Sequence, residues 1–344
     1  MTLSTRRFSI KRGLKWLGLL LLGLILLLLI FGAGYEALSR RSAAQSFPAP
    51  GKLVDIGGRD IHLNCKGRGS PTIILESALD LTGSLDWMPV HEALARNSRT
   101  CSYDRAGIMW SDAKSTPQDG NAVAEDLHAA LAAAGERGPF VLVGHSIGGP
   151  YAMIYTRKYP SDVAGMVLVD AVHPEQLERF EQAGLNIQLI PPSSTLNMLS
   201  ATRWLGLPRK MMQVEGPGIP PAIKGPMNAY AGISIPGWKS EFEGFHRTMR
   251  DANAARDFGD RPLVILTATK PQSVAELTGF GLTQAQGVTL RRVWREMHDE
   301  QEKWSNRSSQ MLLPDSSHAV PWDRPDAVIA AVGQVVDAVR AEDR

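Results

Sequence analysis

Residues 141–153 read VLVGHSIGGPYAM, an apolar run that stops at Gly144-His145-Ser146 and restarts after two more glycines. The run up to His145 reads as a buried strand, and IGGPYAMIYTRKY, from Ile147, as the helix behind it. Gly144-x-Ser146-x-Gly148 therefore falls where a strand turns sharply into a helix, the context a nucleophile elbow requires. There a serine is held in a tight turn with its hydroxyl above the sheet, and glycines let strand and helix approach beside it. The helix N-terminus brings free backbone N–H groups to the same place, where they can stabilise an oxyanion. In a chain with 32 glycines the bare pattern says little, and its position between strand and helix gives it weight.

The flanks supply that position. KLVDIGGRDIHLNC (52–65) reads as two strands around a Gly57-Gly58 turn, followed by the strand PTIILES (71–77). Helix and strand then alternate: a helix over 85–95, the strand RTCSYD (99–104), and the alanine-rich helix 121–135, which Gly135 can end. GMVLVDA (165–171) is the next strand after the elbow, and Pro and Gly then crowd 191–237. Alternation resumes with PLVILTAT (262–269), a helical pattern over 288–304, QMLLP (310–314) and a last helix over 326–340. Apolar strands separated by helices predict an α/β fold, a mostly parallel sheet covered on both faces, with a helical lid inserted at about 175–258.

The chain has 344 residues, 44% hydrophobic and 21% charged, enough for one large core. Its net charge of +2 and the absence of a basic stripe interleaved with aromatics argue against a nucleic-acid partner. From Trp16 to Tyr35 no residue is charged. Twenty residues at about 1.5 Å each span the roughly 30 Å hydrocarbon core of a bilayer, so one transmembrane helix is expected. A cleaved signal peptide has a shorter apolar region, about 7–15 residues, and ends on a small-x-small site that is not evident before Glu36. Arg6, Arg7, Lys11, Arg12 and Lys15 precede the span, and Arg40 and Arg41 follow it. The expectation is a cytoplasmic basic segment (1–15), an anchor (16–35), a linker (36–50) and an extracytoplasmic catalytic domain (51–344) of a single-pass membrane protein. Cys65 and Cys101 lie in short strands; in an exported domain they permit one disulfide, and otherwise they are two small buried thiols.

A serine hydroxyl needs a base. Of eight histidines, His318 in LLPDSSHAVPWDRPD is the one after the last strand, where the order nucleophile, acid, histidine puts it. His145 sits inside the elbow and is expected to pack or hydrogen-bond locally, and His173 to line a pocket. His62, His91, His128, His246 and His298 have no such context.

With SYDRAGIMWSD (102–112), VLVGHSIGGPYA (141–152), MVLVDAVHPEQ (166–176) and DSSHAVPWDRPDAV (315–328), the chain from Lys52 to Arg340 resembles the α/β-hydrolases, serine esterases and lipases with a lid among them. The resemblance implies an eight-stranded sheet with an antiparallel second strand and a lid after the sixth. It makes Ser146 and His318 the catalytic pair, and the N–H of Ile147 one oxyanion donor, with Ser77 or Ala78 supplying the other. Many members have His-Gly where this chain has Glu76-Ser77, which leaves the second donor open by a residue. It also lays the second strand beside the fourth, bringing Cys65 next to Cys101.

The acid usually follows the seventh strand, yet ILTATKPQS (265–273) carries no carboxylate. Asp170, at the end of the sixth strand, occupies a position some lipases of this fold use; Glu276, Glu296 and Asp299 are the replacements. Asp104 also ends a strand, but beside Arg105 an ion-pair or turn role is expected. An aspartate nucleophile, as in relatives that open epoxides, is excluded at position 146. The lid's Met198, Met211, Met212, Met227, Trp204, Trp238, Phe242 and Phe245 either accept an apolar group or form the lid's own core. No metal-ligand spacing or phosphate loop is evident, and acyl transfer through serine needs no cofactor. The expected activity is hydrolysis of an apolar small-molecule ester. The alternatives are a peptidase or acyltransferase of the same fold, and a membrane-anchored binding domain without turnover.

Overall fold

The computed structural model describes residues 10–213 and 220–342. Arg6, Arg7 and the side chain of Lys11, part of the expected basic segment, lie outside the described residues. In chain order the elements are α1 (Ile10–Ser46), β1 (Lys52–Asp55), β2 (Asp60–Lys66), β3 (Thr72–Glu76), α2 (Met88–Ala95), β4 (Thr100–Tyr103), α3 (Gly120–Ala134), β5 (Phe140–His145), α4 (Gly148–Lys158) and β6 (Val163–Val169). They continue with α5 (Gln176–Gln182), α6 (Ser193–Thr202), α7 (Leu207–Met211), α8 (Pro221–Asn253), β7 (Leu263–Ala268), α9 (Val274–Gly279), α10 (Gln284–Gln301), β8 (Ser308–Leu313), α11 (Val320–Asp323) and α12 (Pro325–Glu342).

The described residues fall into two compact units: Met1–Pro48 with Met198–Gly232, and Ala49–Asn197 with Ile233–Arg344. The larger unit holds an eight-stranded sheet in the order β1-β2-β4-β3-β5-β6-β7-β8. β2 runs antiparallel to β1 and β4, and the remaining pairs are parallel. Strands β3 and β5 are buried along their whole length, as expected of a sheet covered on both faces. On one face Ile74, Leu142 and Leu168 pack with Leu127, Leu131 and Ile154 of α3 and α4. On the other, Leu75, Val143 and Val167 meet Leu94 of α2 and Val328, Val332 and Val336 of α12. Local chemistry sets the helix ends. Asp119 caps α3 by accepting from the Ala122 N–H at 3.1 Å, and Gly135 ends it at φ 77°.

The smaller unit departs from two expectations. Residues 36–50 are helical as far as Ser46 rather than a linker, because Glu36, Ala37, Leu38, Ala43 and Ala44 favour helix and Glu36 pairs one turn on with Arg40 at 2.8 Å. Nor does 175–258 form one body. Met198–Gly232 clusters with α1, where Arg209 grips Glu36 through two hydrogen bonds of 2.9 and 3.1 Å. Among the described residues α1 is the one helix long and apolar enough to cross a membrane, and its apolar stretch is unburied.

Cys65 and Cys101 stand opposite each other in the β2–β4 ladder and form a disulfide. It closes a loop across a sequence separation of 36 residues. The paired substitution Cys65→Ser, Cys101→Ser should lower stability by about 2–4 kcal/mol, read as a shifted midpoint in urea. An unmoved midpoint would show that the bond contributes nothing.

Candidate active site

Three parallel strands deliver three side chains to the carboxyl edge of the sheet. Ser146 follows β5 at φ 56° and Asp170 follows β6 at φ 43°, both in the left-handed region that side chains other than glycine rarely enter. The serine is held by its backbone: its N–H donates to the Val169 carbonyl (3.1 Å), and its carbonyl accepts from Gly149 (3.1 Å) and Val172 (3.0 Å). A Cβ on Gly144 would lie 2.5 Å from the Gly148 carbonyl, and one on Gly148 would lie 2.3 Å from the Glu76 oxygen. No side chain fits at either position, which is the reason for the glycines.

His318 sits in the loop after β8. Its Nε2 is 3.0 Å from Ser146 Oγ, and its Nδ1 is 2.6 Å from Asp170 Oδ2. The other Asp170 oxygen accepts from the Ala268 N–H and from Trp294 Nε1–H, both at 2.9 Å. Burial alone would raise the Asp170 carboxyl. The hydrogen bond and charge of His318, with His298 and the Trp294 N–H, outweigh it, so the group lies below the ordinary carboxylate range. The replacements are engaged elsewhere: Glu276 closes a capping box with Ser273, Glu296 pairs with Arg292, and Asp299 pairs with Arg295.

Behind this line lies a second histidine–carboxylate pair. His145 Nδ1 is 2.8 Å from Asp86 Oδ2, and its Nε2 is 2.8 Å from the carbonyl of His318. Burial pushes the imidazole down, but the Asp86 charge and hydrogen bond, and the bond to the His318 carbonyl, take it up to about 9. At neutral pH His145 is a cation, and both ring nitrogens donate. The elbow histidine thus steadies the backbone of the loop that carries His318.

Arg105 organises the loop after β3. Its guanidinium reaches Glu76 (2.8 Å) and Glu241 (2.8 and 2.9 Å), and donates to the Ser77 and Ala78 carbonyls at 2.8 and 2.7 Å. Two buried carboxylates share this one cation; burial first, and then Glu241, take Glu76 up to about 7 against the pull of Arg105 and Tyr103. Asp104, for which an ion-pair or turn role is expected, pairs with buried His62 at 2.8 Å rather than with its neighbour Arg105, and accepts from the Ser84 N–H at 2.6 Å. Ser77 and Ala78 do not line the cavity, and the Ala78 N–H lies 3.3 Å from Asp86 Oδ2. Leu79 is the residue of this loop on the cavity wall, opposite Ile147 at the start of α4.

The cavity over Ser146 has a volume of about 960 Å³. Phe242 and Phe245 of α8, Phe180 of α5 and Trp294 of α10 give it apolar walls. Lys270, Glu276 and Arg291 stand on one side. Of the apolar lid residues expected either to accept an apolar group or to form the lid's own core, Phe242 and Phe245 line the cavity; Trp238 packs edge-on against Phe242, and Met198, Trp204, Met211, Met212 and Met227 belong to the other unit. His173 is fully buried against Trp304 rather than on the wall. Burial, followed by the charges of Arg179 and Arg256, drops it to about 4, so it is neutral.

Sequence reading missed three participants: Trp294, His298 and the Asp86 partner of His145. Trp294 and His298 stand one turn apart on α10, and His298 Nδ1 lies 4.0 Å from Asp170 Oδ1. Their i, i+4 spacing on an amphipathic helix was the available signal.

The His145–Asp86 pair gives a pH signature. Folding raises this histidine from 6.5 to about 9, so its contribution to stability is complete below pH 6.5 and is lost as pH rises through about 9. Urea unfolding across that window should show stability falling in the parent, and His145→Gln should remove that part of the slope. An identical slope in the variant would contradict the assignment.

The family model described as "Alpha/beta hydrolase family" matches residues 75–331. Among curated proteins, YbdG of Bacillus subtilis is 24% identical over 179 residues, 52% of this chain and 55% of that protein; the chain thus spans about half that relative's length. An esterase from Thermogutta terrifontis superposes with a TM-score of 0.59 at 17% identity, covering 84% of this chain and 98% of the esterase. A variant epoxide hydrolase from Bacillus megaterium does so at 0.57 and 15%, covering 83% of this chain and all of that one. At these identities the solved structures speak for the fold. The elbow, the strand order and the family match together place this chain in the alpha/beta hydrolase family.

Proposed function

We propose that this chain is a membrane-anchored serine hydrolase that cleaves carboxylic esters through an acyl-enzyme. The observation that carries the reading is the unbroken hydrogen-bonded line from Ser146 Oγ through His318 to Asp170, beneath a cavity with apolar walls. His318 Nε2 takes the serine proton as Oγ adds to the ester carbonyl. Asp170 holds the imidazole in the tautomer with its proton on Nδ1 and stabilises the imidazolium. The Ile147 N–H, at a helix start with no partner one turn back, receives the oxyanion. Leu79 is the second donor in place of Ser77 or Ala78, since Asp86 occupies the Ala78 N–H. His318 then returns the proton to the leaving alkoxide, and the same histidine activates the water that frees the acid.

The epoxide hydrolase among the structural neighbours prompts a second reading, but attack on an epoxide through a carboxylate has no carboxylate at position 146. Peptide cleavage and acyl transfer use the same line of groups and differ in the acceptor and the leaving group.

The anchor reading rests on the unburied apolar stretch of α1, with the amino terminus in the cytoplasm and the hydrolase unit outside it. A carboxyl-terminal reporter should be active only outside the cytoplasm and should fractionate with membranes. A freely soluble product cut near residues 33–44 would overturn the anchor.

Ser146→Ala should abolish fluorophosphonate labelling and lower kcat on an ester panel by a factor on the order of 10⁴ or more with the fold intact. Asp170→Asn should lower kcat by roughly 10⁴, with far smaller losses at Glu276, Glu296 and Asp299. Labelling that persists in Ser146→Ala would sink the nucleophile. Asp170→Asn staying within about tenfold of the parent would move the acid elsewhere.

A further inference from the structure

The segment from Met198 to Gln213 exposes a group of large apolar side chains beside Lys210. Trp204 is 48% exposed, Leu207 47% and Met211 64%. Residues so large and so exposed, grouped within eight positions, mark an interaction surface rather than ordinary surface scatter.

Their level along α1 is fixed by contact. A Cβ on Gly32 would lie 3.0 Å from Leu205 Cδ2 and 3.1 Å from the Leu205 carbonyl oxygen, and one on Gly206 would lie 2.7 Å from the Tyr35 ring. The two backbones meet at glycines, with no room for anything between them. One turn further on, Glu36 accepts two hydrogen bonds from Arg209, whose side chain is 6% exposed and whose third goes to the Ala229 carbonyl, and so pins the register.

Gly32 lies three residues inside the end of the uncharged stretch Trp16–Tyr35, about 4.5 Å toward its middle. If that stretch fills the hydrocarbon core, Leu205 is at its edge, and the side chains beside it cannot be in bulk water. The flanking chemistry suits that depth. Trp204 and Tyr35 are the ring types that settle at the headgroup level, and the Lys210 ammonium stands 5.2 Å from the Tyr35 ring. Lys210 and Arg203 have stems long enough to lie along apolar surface while their charges reach lipid phosphates.

We propose that residues 203–212 form an interfacial element embedded in the bilayer beside the span, with Trp204, Leu207 and Met211 in contact with phospholipid acyl chains. The proposal rests on the anchor reading of α1. It makes the attachment two-footed: a helix across the membrane, and a short helical segment, clamped to that helix by Glu36–Arg209, lying in its surface. This second foot is part of the insertion between β6 and β7, and the chain runs on from it into α8.

The test uses the full chain in phosphatidylcholine–phosphatidylglycerol vesicles, with one nitroxide at a time on Leu24→Cys, Gln45→Cys, Leu207→Cys or Met211→Cys. All four positions are exposed, and the native cysteines are closed in their disulfide. Relaxation by oxygen, which favours lipid, is compared with relaxation by a water-soluble nickel chelate. Labels at Leu207 and Met211 should show an oxygen-to-nickel ratio several-fold above Gln45 and below that of Leu24, which is at the middle of the span. If Leu24 reads as lipid while Leu207 and Met211 match Gln45, the interfacial element is overturned and the anchor stands. Spin broadening at Leu207 or Met211 that vanishes on dilution with unlabelled chain would give the surface to a second copy, and also overturns it. If Leu24 itself reads as water, the anchor falls and the inference with it.

Discussion

The site depends on the distance of approach between β5 and α4. A serine at φ 56° sits in a conformation that costs of order 1–3 kcal/mol and persists only where its surroundings over-determine it. Here they do, through three backbone hydrogen bonds to residues 149, 169 and 172 and two glycines pressed against neighbouring carbonyls. The strands on either side are held by apolar packing on both faces, so the strained turn is set in a rigid frame. The strain falls on the residue proposed as the nucleophile.

Around that point the charges are layered. Asp170 is buried but has a full complement of donors, so it stays ionised without water. His318 is the exposed member: its side chain is 53% exposed against 3% for Asp170. Its backbone, however, is tied through a cationic His145 to buried Asp86. The ring thus faces solvent while the loop that carries it is tied from behind.

Much of this was legible in the sequence, for reasons that differ by element. The elbow could be read because a close approach admits only glycine, a constraint that leaves a residue-level mark. The strands could be read because a doubly covered sheet requires continuous apolar runs. Asp170 could be read through the resemblance to the α/β-hydrolases, which offers the end of the sixth strand as a second place for the acid where ILTATKPQS carries no carboxylate. What escaped was set by tertiary proximity. Trp294 and Asp170 are 124 positions apart, and His145 and Asp86 are 59 apart. Asp104 lay next to Arg105 in sequence, yet each chose a distant partner, because successive residues at a strand end point in different directions. The division of the insertion escaped for a similar reason: Arg209 and Glu36 are 173 positions apart.

The Arg105 cluster also bears on how the cavity adapts. Glu241 belongs to α8, next to Phe242 and one turn before Phe245, and is fully buried against the guanidinium that supports the β3 loop. Swinging this part of α8 outward would strip a buried cation of one of its two counter-charges, a loss of about 3–5 kcal/mol for such a pair. The aromatic wall is thus a fixed jaw, set by charge rather than by grease. The opposite side, built from residues 270–280 with the short α9, is mostly exposed, with a capping box at Ser273 and Glu276 and buried Leu277 packed against Leu290 and Phe180. Under the reaction proposed for Ser146, a bulky substrate would meet Phe242 and Phe245 on one wall and the mostly exposed residues 270–280 on the other.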